Sequence, residues 1–206
     1  MIDTLRHFLP QLLAGFLVNL QVAGGALAIG LVVGMPLALL RQVAPRSGRI
    51  VWPCVRLMQA APVYVVMFFV LSLLPRDLML FGGHGIGLAA VILAQSVYMT
   101  AYVAENGYRA LVHLRREEPE LALLFLPNLL RGTLVVVMSS GFGAAIGVSE
   151  AVSVTMREAE KLHAAGDRVL LFVVVIGFFV AVFSTANALI GRLVRHMMAK
   201  KLAVTG

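Results

Sequence analysis

The stretch YMTAYVAENGYRALVHLRREEPELA (98–122) decides the reading of this chain. It opens as the apolar end of a membrane-length run. It carries one acid, Glu105, where that run ends, and then enters the densest cluster of charge in the sequence. Glu105 lies four residues before Arg109, a favourable ion-pair spacing on a helix. Upstream, 86–104 is uncharged but contains Gln95, Ser96, Tyr98, Thr100 and Tyr102. Gln95, Tyr98 and Tyr102 are spaced by three and four residues, so they share a helical face. Such a face turned to lipid would be costly, so it is expected to meet protein or a solvated path. Downstream, Arg109, His113, Arg115, Arg116, Glu117, Glu118 and Glu120 surround Pro119 as a mixed-charge connector, where a soluble partner can grip a membrane helix.

Composition agrees with this reading. The 206 residues are 60% hydrophobic and 13% charged, about half the charge of an ordinary soluble domain. Several runs approach the ~20 residues that span a bilayer. The expectation is a single all-α integral membrane domain of about five transmembrane helices. The spans fall near 11–40, 52–75, 86–110, 125–149 and 169–192, with a connector at 111–122 and a polar segment at 150–168. The net charge of +7 reads as the orientation signal at span ends and not as a nucleic-acid footprint. A single cysteine, Cys54, excludes an intrachain disulfide and a cysteine metal cluster. No nucleophile–base set stands out, so no enzymatic role is expected. The run after His7 is too long for a signal-peptide core and is expected to be retained.

Individual spans carry further signals. The 33 residues of 8–40 would extend roughly 50 Å against a hydrocarbon core of about 30 Å. The first span therefore either tilts or turns along the interface at Pro10. Ala26, Gly30, Gly34 and Ala38 recur every four residues and offer a face for close helix approach. The second span contains Pro62, which removes a backbone donor and kinks a helix, with Gln59 and Tyr64 nearby. Gln59, Pro62, Tyr98, Tyr102 and Glu105 are the candidates for a polar path. GGHGIG (82–87) lacks the preceding strand of a nucleotide loop. The segment 132–149, with 18 uncharged residues, barely suffices to cross and is expected to be broken or tilted. The charge-rich segment 150–168 is expected to be a solvated helix outside the membrane.

Orientation follows from lysine and arginine placement. Twelve of these residues fall in the 1–2 loop, the 3–4 connector and the tail, and five on the other side. The positive-inside rule then puts the N-terminus outside and the C-terminus inside, which requires an odd number of spans.

Three passages resemble the permease subunits of bacterial ABC importers for polar amino acids and opines. GFLVNLQVAGGALAIGLVVGMPLALLR (15–41) is similar to the family's first core helix with its closing arginine. AYVAENGYRALV (101–112) resembles the Ala-Tyr-x-Ala-Glu…Arg-Gly-Ala signature. FLPNLLRG (125–132) and IGVSE (146–150) resemble the Leu-Pro and Ile-Gly-Val-Pro-Glu landmarks. The resemblance implies a type I ABC importer permease fold in a bacterial inner membrane. It also implies an ABC ATPase dimer that binds ATP and Mg, a second permease subunit, and a periplasmic substrate-binding protein, with lipid around them and no cofactor in this subunit. Glu120-Leu121-Ala122 stands where the family's Glu-Ala-Ala coupling motif begins, so Arg116, Glu117, Glu118, Glu120 and Ala122 become the implied ATPase contact. The motif's glycine is missing, and Leu126-Pro127 follows about fifteen residues early. Arg-Gly-Thr-Pro appears as Gln59-Ala60-Ala61-Pro62, and Ser140-Gly141-Phe142-Gly143 replaces the family's Lys-Asp. These departures imply a heterodimer with a more regular partner. They also define a second reading, a non-transporting membrane scaffold that keeps the permease fold.

Overall fold

The structure, a computed structural model, describes residues 2–75 and 85–204. The histidine and glycines of the 82–87 loop lie outside them, apart from its last residues, 85–87. The described residues form helices α1 (Ile2–Val43), α2 (Pro45–Ala60), α3 (Val63–Leu73), α4 (Ile86–Arg115), α5 (Pro119–Ala122) and α6 (Phe125–Ser139). A 3₁₀ segment (Ser140–Ile146), α7 (Ala151–Lys161) and α8 (Ala165–Val204) follow, and no strand occurs among the described residues. Among the described residues, four helical stretches are long and apolar enough to cross a membrane: Thr4–Val43, Ile86–Arg115, Pro119–Ile146 and Ala165–Met197. A fifth is counted if α2 and α3 make one broken span. The protein is a multi-pass, all-helical membrane protein.

The centre of the bundle is α4. Its most apolar window is 67% buried, against 11% for that of α8. Helix α1 lies along α4 through its small residues. A Cβ on Gly30 would stand 2.8 Å from Met99 Cγ, and one on Gly34 only 2.6 Å from the Thr100 carbonyl oxygen. Ala26 and Ala38, on the same face, are fully buried. Without side chains in the way, the two backbones approach closely enough for dispersion contacts to replace the hydrophobic drive that lipid lacks.

Helix α1 runs through Pro10 and Pro36 without interruption, so the corner considered at Pro10 does not form. Phe8 and Leu12, either side of Pro10, are both buried in one cluster with Ala151, Val154, Leu171 and Val175. That packing holds both sides of the proline in a single helix, while Pro10 itself is exposed.

The second span departs further from expectation. Pro62 does not kink a continuous helix over 52–75. The helical axis turns by 100° between Ala60 and Val63. The Ala61 N–H closes α2 on the Leu57 carbonyl at 2.9 Å, and Ala61 itself is extended at ψ 124°. A residue before proline is driven out of the helical region, so α2 ends there, and Pro62 opens α3 as its N-cap.

Helix α7 also corrects the sequence reading. The segment is helical over Ala151–Lys161, but only one face of that helix is exposed. Ala151, Val154, Thr155, Glu158 and Ala159 are buried, a spacing of three and four residues that makes one packed stripe. The stripe lies against α1 and is anchored by Glu150, whose side chain is inaccessible to solvent. Glu150 Oε1 accepts from the Ser153 N–H, and Oε2 accepts from the Val152 N–H, each at 2.8 Å. Asn19 Nδ2 of α1 donates to Glu150 Oε2 at 3.1 Å and to Ser140 Oγ at 2.7 Å. Asn19 Oδ1 accepts from the Ala151 N–H at 3.2 Å. Three elements distant in sequence are thus tied by one carboxamide and one capping acid.

Burial lifts the Glu150 carboxyl above its ordinary 4.5, against the opposing hydrogen bonds from Val152, Ser153 and Asn19 and the charge of Arg157. The fold therefore holds the proton more tightly than the unfolded chain. The resulting stabilisation is fully present below pH 4.5 and is lost as pH rises through the raised native value.

Two predictions follow from this packing. Gly34→Leu is expected to cost at least about 1–3 kcal/mol by forcing α1 from α4, read as a lowered melting temperature in detergent. Gly24→Leu, at a site with nothing within 4 Å, should leave that temperature unchanged; equal effects would refute the close-approach account. For Glu150, melting temperature should fall as pH rises from 4.5, and Glu150→Gln should flatten that slope. Glu150→Leu, which strands Asn19 and two backbone donors, should cost about 1–3 kcal/mol or more at every pH.

Candidate functional site: a polar pocket between α2, α4 and α6

The polar face expected on α4 is real and points at α6. Gln95 is buried and bonds to Ser139 Oγ at 2.9 Å. Tyr102 Oη donates to the Asn128 carbonyl at 3.0 Å. Tyr98 packs beside Tyr102, with ring centroids 5.9 Å apart. The close fit depends on Gly132 of α6, where a Cβ would meet the Tyr102 ring at 2.6 Å. Gln95 and Tyr102, which the membrane would penalise, thus each find a partner on the neighbouring helix.

One turn further along α4 the helices part. A polar cavity of about 490 Å³ is lined by Gln59 of α2, by Tyr102, Glu105, Asn106 and Arg109 of α4, and by Asn128 of α6. Its wall is a relay of amides. Asn128 Nδ2 donates to Asn106 Oδ1 at 3.3 Å, and Asn106 Nδ2 donates to the Tyr102 carbonyl at 2.9 Å. Gln59 Nε2 reaches the Ala101 carbonyl at 3.4 Å. Arg109 grips Glu105 Oε1 through Nε at 3.1 Å and Nη2 at 2.9 Å. The site offers an anion and a cation side by side, flanked by amide donors and acceptors, a set suited to a small polar or zwitterionic solute.

Of the five path residues expected from sequence, Gln59, Tyr102 and Glu105 meet in this cavity. Tyr98 stands behind Tyr102, and Pro62 sits at the α2–α3 break, outside the lining. Asn106 and Asn128 complete the lining and are not among those five. Asn106 lies four residues after Tyr102, a spacing that would have extended the polar face already recognised.

The connector is shorter than 111–122, because α4 continues through Arg115. Arg116 caps α4, and Glu117 takes the left-handed conformation at φ 58°. His113 Nδ1 lies 2.7 Å from Glu118 Oε2 across the turn. Glu120 lies on the four-residue α5, and Ala122, also on α5, is buried at 7% exposure. Arg116 and Glu117 are exposed, so this tight turn presents charge at the end of α4.

No protein-family model and no curated protein matches the sequence. Two solved structures share its fold. One is an amino acid ABC transporter crystallised with histidines, at TM-score 0.71 and 18% identity over 95% of this chain and 98% of that one. The other is the MetNI methionine ABC transporter in an inward-facing conformation, at TM-score 0.66 and 17% identity over 92% of this chain and 97% of that one. At such identities the likeness is one of fold alone, an all-helical architecture shared with chains of two ABC transporters.

Thiol labelling tests the pocket directly. In a Cys54→Ser background, cysteines at Gln59 and Asn106 should react with a membrane-impermeant maleimide in detergent at least about tenfold faster than one at the buried Gln95. Equal rates at all three positions would show that no open cavity exists.

Proposed function

We propose that the chain is the transmembrane permease half of an ATP-driven importer, with the polar pocket as part of the path for a polar amino acid or related small solute. The observation that carries the reading is the fold, shared over 95% of the chain with a subunit of an amino acid ABC transporter. The accessible placement of Gln59 and Tyr102 in one polar cavity supports transport over the scaffold reading. In this reading the subunit breaks no bond. It alternates access while a cytoplasmic ABC ATPase dimer, which binds ATP and Mg, closes and opens. The missing arginine before Pro62 and the short connector favour a heterodimer with a second, more regular permease subunit, fed by a periplasmic substrate-binding protein. The protein sits in a bacterial inner membrane with its N-terminus periplasmic and its C-terminus cytoplasmic, the orientation the arginine and lysine distribution favours.

Coupling is assigned to the turn Arg116–Glu118 with Glu120 of α5. Its left-handed Glu117 and the His113–Glu118 contact fix its shape, as a surface that transmits a push requires. Tagged protein recovered from solubilised membranes should bring down an ABC ATPase and a second permease, identified by mass spectrometry. Recovery without an ATPase would defeat the assignment. Charge reversal at Glu117, Glu118 and Glu120 to lysine should cut solute uptake by at least about tenfold, with the subunit still present in the membrane, because like charges at an interface repel. Normal uptake by that variant would remove the connector from the coupling role.

A further inference from the structure

The end of the bundle where α1 stops, α2 starts and α4 finishes carries chemistry that transport does not use. The Arg41 guanidinium lies between two rings, 3.4 Å from the Trp52 centroid and 3.9 Å from that of Tyr108. Its Nη1 is enclosed and has no hydrogen-bond partner among the described residues. Two adjoining hollows share Arg41 and Tyr108. The first, about 370 Å³, is also bordered by Arg49, Trp52 and Arg56. The second, about 330 Å³, is also bordered by Arg115 and Arg116. Among the described residues, no carboxylate lines either hollow.

Arginines bordering hollows with no acid in their lining repel one another, and the aromatic rings offset that for Arg41. An anion completes the arrangement. Guanidinium forks match phosphate oxygens in pairs of parallel hydrogen bonds. The surroundings indicate which phosphate. Trp and Tyr with arginines at helix ends mark the membrane–water boundary. On the same two helices Val43, Ile50 and Leu57 are more than 70% exposed, an apolar surface suited to acyl chains and of no use to a free ion. Basic pockets between membrane helices at this depth hold anionic headgroups.

We propose that this end of the chain binds the phosphate group of an anionic phospholipid. Arg41, Arg49 and Arg56 hold it in the first hollow, and Arg115 reaches it from the second. Gly48 forms part of the wall, since a Cβ there would press on Arg41 Cα at 3.2 Å. The site does not depend on the transport reading.

The test uses the full-length protein, purified and delipidated in detergent, and native mass spectrometry. Phosphatidylglycerol, phosphatidylcholine with the same acyl chains, and inorganic phosphate are titrated separately. Phosphatidylglycerol should bind at least about tenfold tighter than phosphatidylcholine. The double variant Arg49→Gln/Arg56→Gln should lose about tenfold of that affinity, and Arg49→Lys/Arg56→Lys should recover part of it. Both arginines are exposed, so the melting temperature of the variants serves as the folding control. Equal binding of the two lipids, or unchanged phosphatidylglycerol binding in the glutamine variant, overturns the proposal. Saturable binding of inorganic phosphate without binding of phosphatidylglycerol also overturns it, as a pocket for a small ion.

Discussion

The bundle depends on how closely α1 approaches α4. Lipid gives two apolar helices no hydrophobic reason to associate, so contact must be gained through packing. Gly30 and Gly34 let Met99, Thr100 and Val103 lie directly on the α1 backbone, and Gly107 lets α4 receive Met35 and Ala38 in return. With that seam closed, the remaining faces of α4 are fixed in direction. One receives α2 and α3, and another receives α6 through Tyr102 and Gly132. The polar pocket and the arginine-lined hollows are both consequences of this placement, since each is built from α4 side chains and the ends of helices that α4 orients.

What could be read from the sequence is what a single helix encodes. The four-residue recurrence of Ala26, Gly30, Gly34 and Ala38 names its own face, and Gln95, Tyr98 and Tyr102 name theirs. Glu105 and Arg109 find each other within one turn. What could not be read depends on distant elements. Asn19 is an ordinary polar residue in an apolar run until Glu150 and Ser140, more than 120 positions later, arrive beside it. Helix α7 carries enough charge to hide a stripe of five buried positions, because counting charge ignores the angle at which each residue projects. Pro62 announces a disturbance, but the size of the turn follows from Ala61 adopting the extended backbone that proline imposes, and a kink and a right angle share that signature.

The polar groups inside the bundle follow one economy. Gln95, Tyr102, Asn106 and Asn128 each bond to a neighbour or to backbone, so the membrane cost of their burial is largely offset. A rigid, satisfied wall also presents its remaining donors and acceptors in fixed directions, which recognition of a small polar solute requires. Glu105 and Arg109 fit the same pattern. Their mutual contact neutralises both charges at the helix surface, and a zwitterion entering the pocket would exchange one pair for two.

Helix α4 links the two places to which the proposed permease assigns function. Arg109 in the pocket and His113 at the connector turn are one helical turn apart, and an unbroken backbone ladder joins them. Around that turn α4 is held to α1 by Gln42 Nε2, which donates to the Leu111 carbonyl at 3.3 Å, and by Met35 and Ala38 against Gly107. Displacement of the turn would therefore move the pocket wall as a rigid body. In the proposed permease that stiffness would stand in for a longer coupling segment. A connector of three residues can transmit motion if it ends directly on a stiff lever, and in the proposed permease the pocket residue Arg109 lies within two turns of that connector.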